Sequence, residues 1–372
     1  MITCDAAVVR VLGAPMSIER IRVDPPRSGE VMIEMGVAGI CGSDRYVIEG
    51  HHALEPPSVC GHEGAGTVVE VGPDVTSIAV GDVVVQTFVG PCGECRTCRR
   101  GLRTFCPTAM HPSGLMRDGT HRMFDAGDHP VGNYLGLGSF SRFTVSPARH
   151  CVVIPPDVPM EIAAIVSCGV STGVGAAVNV ARIRPGDDVL VIGLGGVGAA
   201  AVMGAVLAGA SRIIVSEVNP AKLELAKVFG ATDVIDATSD DVRERVMEFT
   251  SGFGVDAVLL APDRVRPEHY TTGVSCLGPA GIMVHVGGTA AGMDYIPVAP
   301  GALVGQQKSI VGTVIGGSDP ARDVLRWIDL YSAGRLPLDR LITARYRLDE
   351  INRGFDDLIG GRNIRGVVDM RS

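Results

Sequence analysis

The sequence predicts an α/β protein in two parts, a β-rich domain followed by a domain built on a parallel, doubly wound sheet. Three observations carry that expectation. Up to about residue 155 the chain reads as β-rich segments between Gly/Pro/Asp turns, and from about residue 170 it reads as short strands separated by helical stretches. Its 372 residues also exceed the ~250–300 at which a single core usually stops growing, and at 46% apolar residues it can fill two cores.

In the first part VMIEMGVA (31–38), GTVVEVG (66–72) and DVVVQTF (82–88) are predicted antiparallel strands, and helical periodicity is scarce. In the second part VLVIG, RIIVSE, DVID, VDAVLLA and IMVHVGG are predicted strands, with a Gly/Ala helix after the first and PAKLELAKVFG after the second. Such alternation gives right-handed crossovers and therefore a parallel sheet. Asn219 is the expected N-cap of the second helix, with Pro220 at its first position and Gly230 as its stop. Beyond residue 315, SDPARDVLRWIDLYSAGRL and LDEINRGFDDLIGG read as two amphipathic helices ahead of a final strand, GVVDM.

Residues 189–210 are uncharged and long enough on paper to span a bilayer. They are dominated by glycine and alanine, however, and open as a β-branched strand leading into Gly193-x-Gly195-x-x-Gly198, so a buried strand–turn–helix is expected in place of a membrane span. The net charge of −8 argues against nucleic acid or an anionic membrane as the main partner. The excess of glycine, 49 residues without a collagen-like period, is expected in turns and phosphate loops.

Four cysteines, Cys92, Cys95, Cys98 and Cys106, fall within PCGECRTCRRGLRTFC. Two Cys-x-x-Cys steps that share a cysteine, followed after seven residues by a fourth, supply the four thiolates of a closed structural zinc site. An iron–sulfur run would set its last cysteine three residues on. Surface disulfides are the weaker reading: MITCDAAVVR shows no secretory leader, and a reducing cytoplasm is expected. Cys41, His62 and Cys168 stand apart in motifs of their own and supply three ligands, the number an open catalytic zinc uses.

The glycine triad stands after a predicted strand and before a helix, with Glu217 closing the next strand. Gly193, Gly195 and Gly198 would permit the tight turn and the approach of a pyrophosphate to the helix N-terminus, while Glu217 would accept hydrogen bonds from the adenosine ribose. A carboxylate there repels a 2′-phosphate, so NAD is expected over NADP.

GICGSD (39–44), GHEGAG (61–66), the four-cysteine lobe, SCGVSTGVG (167–175), GLGGVG (193–198) and NIRGVV (363–368) together resemble the zinc-dependent medium-chain alcohol dehydrogenases, near the glutathione-linked formaldehyde dehydrogenase branch and its bacterial relatives. The resemblance covers nearly the whole chain in one order. It implies a GroES-like catalytic domain over 1–169 and 315–372 and a Rossmann NAD-binding domain over 170–314. It implies two zinc ions per chain, one catalytic and one structural, and hydride transfer between a primary alcohol or aldehyde and NAD. Cys41, His62 and Cys168 would hold the catalytic metal, Glu63 would be a carboxylate able to exchange with water there, and Asp44 would orient the ligand histidine. Ser43 would receive the alcohol proton. Thr172 and Val197 would lie near the nicotinamide, Lys222 near the adenosine ribose, Arg365 near the pyrophosphate, and His52, Phe88, Tyr134, Gly288 and Val314 around the substrate.

Three positions depart from the family pattern. Tyr46 stands where many relatives end a proton relay with histidine, the residues expected to hold glutathione are not evident in EGHHALEPPS or TAMHPSGLMRDG, and Leu260 replaces an acid common near the adenine. The long segment 107–167 implies a homodimer, as in the family's dimeric members. Alternative readings are an enzyme that retains NAD tightly and uses another electron acceptor, a glutathione-linked formaldehyde dehydrogenase, and a zinc-stabilised binding protein without turnover.

Overall fold

The computed structural model describes residues 1–110, 114–290 and 292–372, so three residues of TAMHPSGLMRDG lie outside the described residues. The β-rich half folds as predicted from its alternating and continuous apolar runs. It contains β1 (Ile2–Val9), β2 (Ser17–Val23), β3 (Glu30–Ile40), the short helix α1 (Gly42–Ile48), β4 (Ser58–Val59), β5 (Gly64–Val71), β6 (Val83–Gln86), the one-turn helix α2 (Arg96–Arg99), β7 (Met123–Phe124), β8 (Pro130–Asn133), β9 (Phe143–Pro147) and β10 (Cys151–Val153). Strands β1, β2, β7, β8 and β4 close into a barrel. The rest form a seven-stranded sheet in the order β10-β6-β5-β3, continued by β20 (Arg365–Asp369) and β19 (Ile342–Arg347), with β9 also paired to β3. Strand β3 is buried along nearly its whole length because both of its faces are covered, which is why it reads as a continuous apolar run. Pairing is mainly antiparallel. The exceptions are β4 with β8 and β19 with β20, which run parallel; β4, of two residues, is too short for patterning to reveal.

One long helix, α3 (Met160–Ala181), follows, and by length and composition it is apolar enough to cross a membrane. Of that apolar window 83% is buried, as in a core helix hydrophobic on all sides. Two of its segments, Val166–Val170 and Ala176–Ala181, are wound as π-helix.

Then come β11 (Asp188–Ile192), α4 (Gly196–Ala208), β12 (Arg212–Glu217), α5 (Pro220–Phe229), β13 (Asp233–Asp236), α6 (Val242–Phe249), β14 (Val255–Leu260), β15 (Arg264–Val265), α7 (Pro267–Cys276), β16 (Leu277–His285), β17 (Gly288–Thr289), α8 (Pro300–Val304) and β18 (Ser309–Gly312). Six strands make one parallel sheet in the order β13-β12-β11-β14-β16-β18. The chain runs outward from β11 to one side and then from β14 to the other, so the topological switch lies between β11 and β14. Residues 189–210 fold as the expected strand, turn and helix. Helix α5 has the expected signals: the Asn219 side chain accepts from the Ala221 amide at 3.1 Å, Pro220 occupies the first turn, and Gly230 closes it in the left-handed region. The terminal helices are α9 (Pro320–Ser332) and α10 (Ile351–Ile359).

The chain divides into two units, residues 1–168 with 319–333 and 342–372, and residues 169–318 with 334–341.

Candidate active site and cofactor cradle

The first site is built at one end of the β5-β3-β20 ladder. Strand β3 delivers Cys41 at its end, and His62 and Glu63 immediately precede its antiparallel partner β5, where the Gly39 amide donates to the Glu63 carbonyl at 2.8 Å. Strand β20 begins with Arg365 beside the same end of β3, its Gly366 opposite Ile40. Cys168 comes from the first π-wound segment of α3, the kind of irregular turn that re-aims a side chain. Cys41, His62, Glu63 and Cys168 each offer a ligand atom, and these atoms all lie within 4.8 Å of one another and are buried.

The donor chemistry fits zinc. The His62 Nδ1 lies 2.9 Å from the Asp44 carboxylate, which can only accept, so Nδ1 carries the proton and the Nε2 lone pair faces the cluster. Nε2 sits 3.4 Å from the Cys168 Sγ, against the separation of about 3.6 Å that one tetrahedral zinc would impose on a nitrogen and a sulfur ligand. Asp44 is fully buried at the start of α1 and also accepts from the Gly61 amide at 3.1 Å.

The charges are coupled. The hydrogen bond from Cys168 lowers the Cys41 thiol well below its ordinary range, with help from the positive fields of His62 and Arg365, and the same bond raises Cys168. Burial opposes charge on His62, but Asp44 and Cys41 outweigh it and raise the imidazole. Burial pushes Glu63 up to about 7, against the attraction of Arg365.

Arg365 is buried and pairs directly with the Glu63 carboxylate. The expectation from sequence was a pyrophosphate contact, and this pairing across the sheet was not foreseen. Gly39 makes room for it: a Cβ there would lie 2.3 Å from the Glu63 Oε2. Ser43 is exposed on α1, its hydroxyl 3.7 Å from the Cys41 Sγ. Tyr46, one turn on, has its ring 5.9 Å from that of His51 and 6.1 Å from that of His52. Phe88 meets His62 edge-on with ring centroids 5.8 Å apart, while burial and the nearby Asp44 and cysteine thiolates raise the Tyr134 hydroxyl. Phe88 and Tyr134 thus stand at the cluster within the first unit; Gly288 and Val314 are exposed residues of the second.

The second cluster gathers Cys92, Cys95, Cys98 and Cys106, again with ligand atoms within 4.8 Å of one another. Cys92 lies 4.0 Å from Cys98 and 3.6 Å from Cys106, bracketing the ~3.8 Å between sulfurs on one tetrahedral zinc. All ten cysteines are free thiols. Two hydroxyls that sequence reading missed support the cluster: Thr97 lies 2.9 Å from the Cys95 Sγ and Thr108 3.3 Å from the Cys106 Sγ. The repeated Cys-x-Thr was the available signal.

In the second unit the glycine turn forms a cradle at the end of β11. Gly193 takes a φ of +90°, and a Cβ there would lie 2.7 Å from Pro262. A Cβ on Gly198 would fall 2.0 Å from the Gly193 carbonyl oxygen, whereas one on Gly195 would meet nothing, leaving open space at the uncapped start of α4. Glu217 accepts from the amides of Leu194 at 2.6 Å and of Val218 and Asn219 at 2.9 Å each. Gly173, the neighbour of Thr172, packs against Val197, since a Cβ on Gly173 would lie 2.3 Å from the Val197 carbonyl. Lys222 is half-buried in the first turn of α5. A helix start without a side-chain cap, a glycine bend and an acid on the next strand are the features an NAD pyrophosphate and ribose require.

Known proteins share both halves. Residues 27–156 match the alcohol dehydrogenase GroES-like domain and residues 196–329 the zinc-binding dehydrogenase domain. The chain is 38% identical to alcohol dehydrogenase B of Mycobacterium tuberculosis over 97% of each chain, and 38% identical to the NDMA-dependent alcohol dehydrogenase of Amycolatopsis methanolica over 98% of each. The structure of benzyl alcohol dehydrogenase from Acinetobacter calcoaceticus superposes with a TM-score of 0.93 at 30% identity, covering 100% of both chains. With likeness of this extent, and with donor sets that fit one open and one closed zinc, the chain belongs to the zinc-dependent medium-chain alcohol dehydrogenases, enzymes acting on small alcohols and aldehydes.

Proposed function

We propose that the chain oxidises a medium-sized primary alcohol, or reduces the corresponding aldehyde, with NAD in preference to NADP. The observation that carries this reading is the convergence of Cys41, His62, Glu63 and Cys168 on one buried point. Bound zinc supplies Lewis acidity towards the alcohol or aldehyde oxygen, and bound nicotinamide supplies the hydride acceptor. Cys41, His62 and Cys168 hold the metal, and Asp44 keeps the His62 Nε2 free of a proton so that it can ligate. Glu63, paired with its counter-ion Arg365, would offer the metal a carboxylate oxygen. The exposed Ser43 hydroxyl accepts the alcohol proton and passes it outward, with Tyr46 beside the exit. Thr172 and Val197 support the nicotinamide and Lys222 the adenosine ribose. Phe88 and Tyr134 present apolar ring surface near the cluster, which favours an aromatic or longer aliphatic substrate, and the likeness to a benzyl alcohol dehydrogenase supports that choice.

Steady-state kinetics with ethanol, octanol and benzyl alcohol test the reading. Higher kcat/KM for benzyl alcohol or octanol is expected, and ethanol ranking first refutes it.

A second reading, in which electrons leave to an acceptor other than free NAD, is favoured by the likeness to the NDMA-dependent enzyme. Native mass spectrometry of the untreated protein separates the two, because retained nucleotide would mark the second. The homodimer belongs here as well. Strand β18 is an edge with mostly exposed residues, and Val311 within it and Val314 just beyond it expose apolar surface, as an edge awaiting a second copy would. A cytoplasmic location is expected from the ten unpaired cysteines.

A further inference from the structure

A part-buried polar chain at the carboxyl end of β16 has no part in the chemistry described so far. Tyr270, 3% exposed on α7, meets His285, the last residue of β16, ring edge to ring face with centroids 5.5 Å apart, and its hydroxyl hydrogen-bonds the imidazole Nδ1. The other nitrogen, Nε2, lies 2.9 Å from the Gly287 carbonyl oxygen. That oxygen can only accept, so Nε2 carries the proton, Nδ1 is the acceptor, and the Tyr270 hydroxyl donates. Burial holds the His285 imidazole below its ordinary range, in keeping with the neutral form this arrangement needs.

Gly287 belongs to a crest of three neighbouring strand ends. Its amide and that of Val286 both donate to the Leu260 carbonyl at 2.9 Å, and a Cβ on Gly287 would lie 2.2 Å from the Pro262 oxygen. Pro262 in turn lies against Gly193 at the start of the glycine turn. The backbones that follow β16, β14 and β11 are therefore packed directly on one another, without intervening side chains. In an open parallel sheet the ligand binds outside the carboxyl ends of the strands, at the switch between β11 and β14, with its second half over the strands beyond. A displacement of Gly287 would pass through Pro262 to that crevice.

We propose that Tyr270 and His285 are positioning residues for the dinucleotide: the chain from the Tyr270 hydroxyl through the imidazole to the Gly287 carbonyl fixes the crest on which its nicotinamide half rests. This rests on the reading of the Gly193–Gly198 turn as a dinucleotide site. The test is NADH fluorescence titration and steady-state kinetics on the full-length wild type, Tyr270→Phe, His285→Leu and His285→Gln. Tyr270→Phe and His285→Leu should raise the Kd for NADH and the KM for NAD by about fivefold or more, the share of one net hydrogen bond, with kcat little changed. His285→Gln, which can donate to Gly287 and accept from Tyr270, should restore wild-type binding. A merely structural pair would lower the unfolding temperature in all three variants and leave the Kd alone. Equal NADH affinity in wild type and Tyr270→Phe overturns the proposal by itself, whether or not His285→Leu folds. A wild type that binds no NADH overturns the dinucleotide reading as well.

Discussion

Asp44 and Glu217 show how single carboxylates are committed before any ligand arrives. Asp44 faces the His62 Nδ1 with its Oδ1, and its Oδ2 has no hydrogen-bond partner among the described residues. Asp44→Ala removes the acceptor that fixes the imidazole tautomer, so zinc affinity at the Cys41 site should fall about 10- to 100-fold. Competition with a chromogenic chelator measures it, and an unchanged affinity would show that the pair does not govern the metal. Glu217 ties the glycine turn to the end of β12 through the Leu194 amide and accepts from its neighbours Val218 and Asn219, so its carboxylate is fixed beside that turn, where the proposed reading puts the ribose. Glu217→Ser should shift the NADP-to-NAD ratio of kcat/KM upward by about tenfold, close to 1.4 kcal/mol of relieved repulsion. A wild type that already uses both cofactors equally would remove the basis for this expectation.

Among elements, α9 illustrates how an amphipathic pattern fixes packing. Val324, Trp327 and Ile328 are buried at helical spacing, and Trp327 is fully enclosed, yet its indole nitrogen has no hydrogen-bond partner among the described residues. The ring's apolar area is then what the core requires. Trp327→Ala should cost about 3–5 kcal/mol, whereas Trp327→Phe should cost much less, because it removes an unsatisfied donor along with some volume. Urea unfolding of the two variants compares them, and equal losses would mean that the indole N–H matters after all. Helices α5, α9 and α10 and the strands of the nucleotide sheet other than β18 were legible because cap residues and apolar period mark them locally. The gathering of Cys92, Cys95, Cys98 and Cys106 was legible because their spacing is itself chemical information, and that of Cys41, His62, Glu63 and Cys168 because their motifs resemble those of a family. What escaped depends on distant sequence: β19 carries alternating charges in ITARYR and takes its place by pairing with β20, and β18 is a short exposed edge. The Glu63–Arg365 contact joins residues 302 positions apart, and no local pattern could reveal it. The acid–base network that ties β3 to the chain before β7 is equally non-local. Arg122, fully buried, donates to Glu30 at 2.6 and 2.8 Å and to Asp118 at 2.8 Å. Burial alone would raise Asp118, but hydrogen bonds from Thr120 and Arg122 hold it well below its ordinary 3.8. A depressed carboxyl stabilises the fold fully above its unfolded value and loses that contribution as the pH falls below it. Asp118→Asn should therefore flatten the acid limb of the stability curve below about pH 4, and an unaltered limb would show that other carboxyls control it.

At the scale of the whole molecule, the two metal clusters divide the labour of chemistry and folding, and the division can be read by removing metal. In the lobe, four thiolates leave no position for an incoming ligand, and Arg103 ties the lobe to Asp319 at 3.3 Å, so a chelator must first displace a cysteine. At the Cys41 site Cys41, His62 and Cys168 would ligate and leave a fourth position to the neighbouring Glu63 carboxylate or an incoming oxygen, although His62 and both cysteines are buried. Burial slows entry there, while the open position lowers the barrier to exchange once a chelator has entered. Coordination should prevail, because breaking a zinc–thiolate bond is the step the lobe cannot avoid. Graded treatment with a small, neutral chelator should therefore abolish alcohol oxidation while the unfolding temperature is nearly unchanged, and stronger treatment should then lower that temperature as the second zinc leaves. Cys95→Ser should give the second effect without the first, reducing stability and zinc content to one ion per chain while the remaining folded protein keeps its turnover. A fall in unfolding temperature that precedes the loss of activity would mean that exposure of Cys92 and Cys95, not the number of protein ligands, sets the order of release.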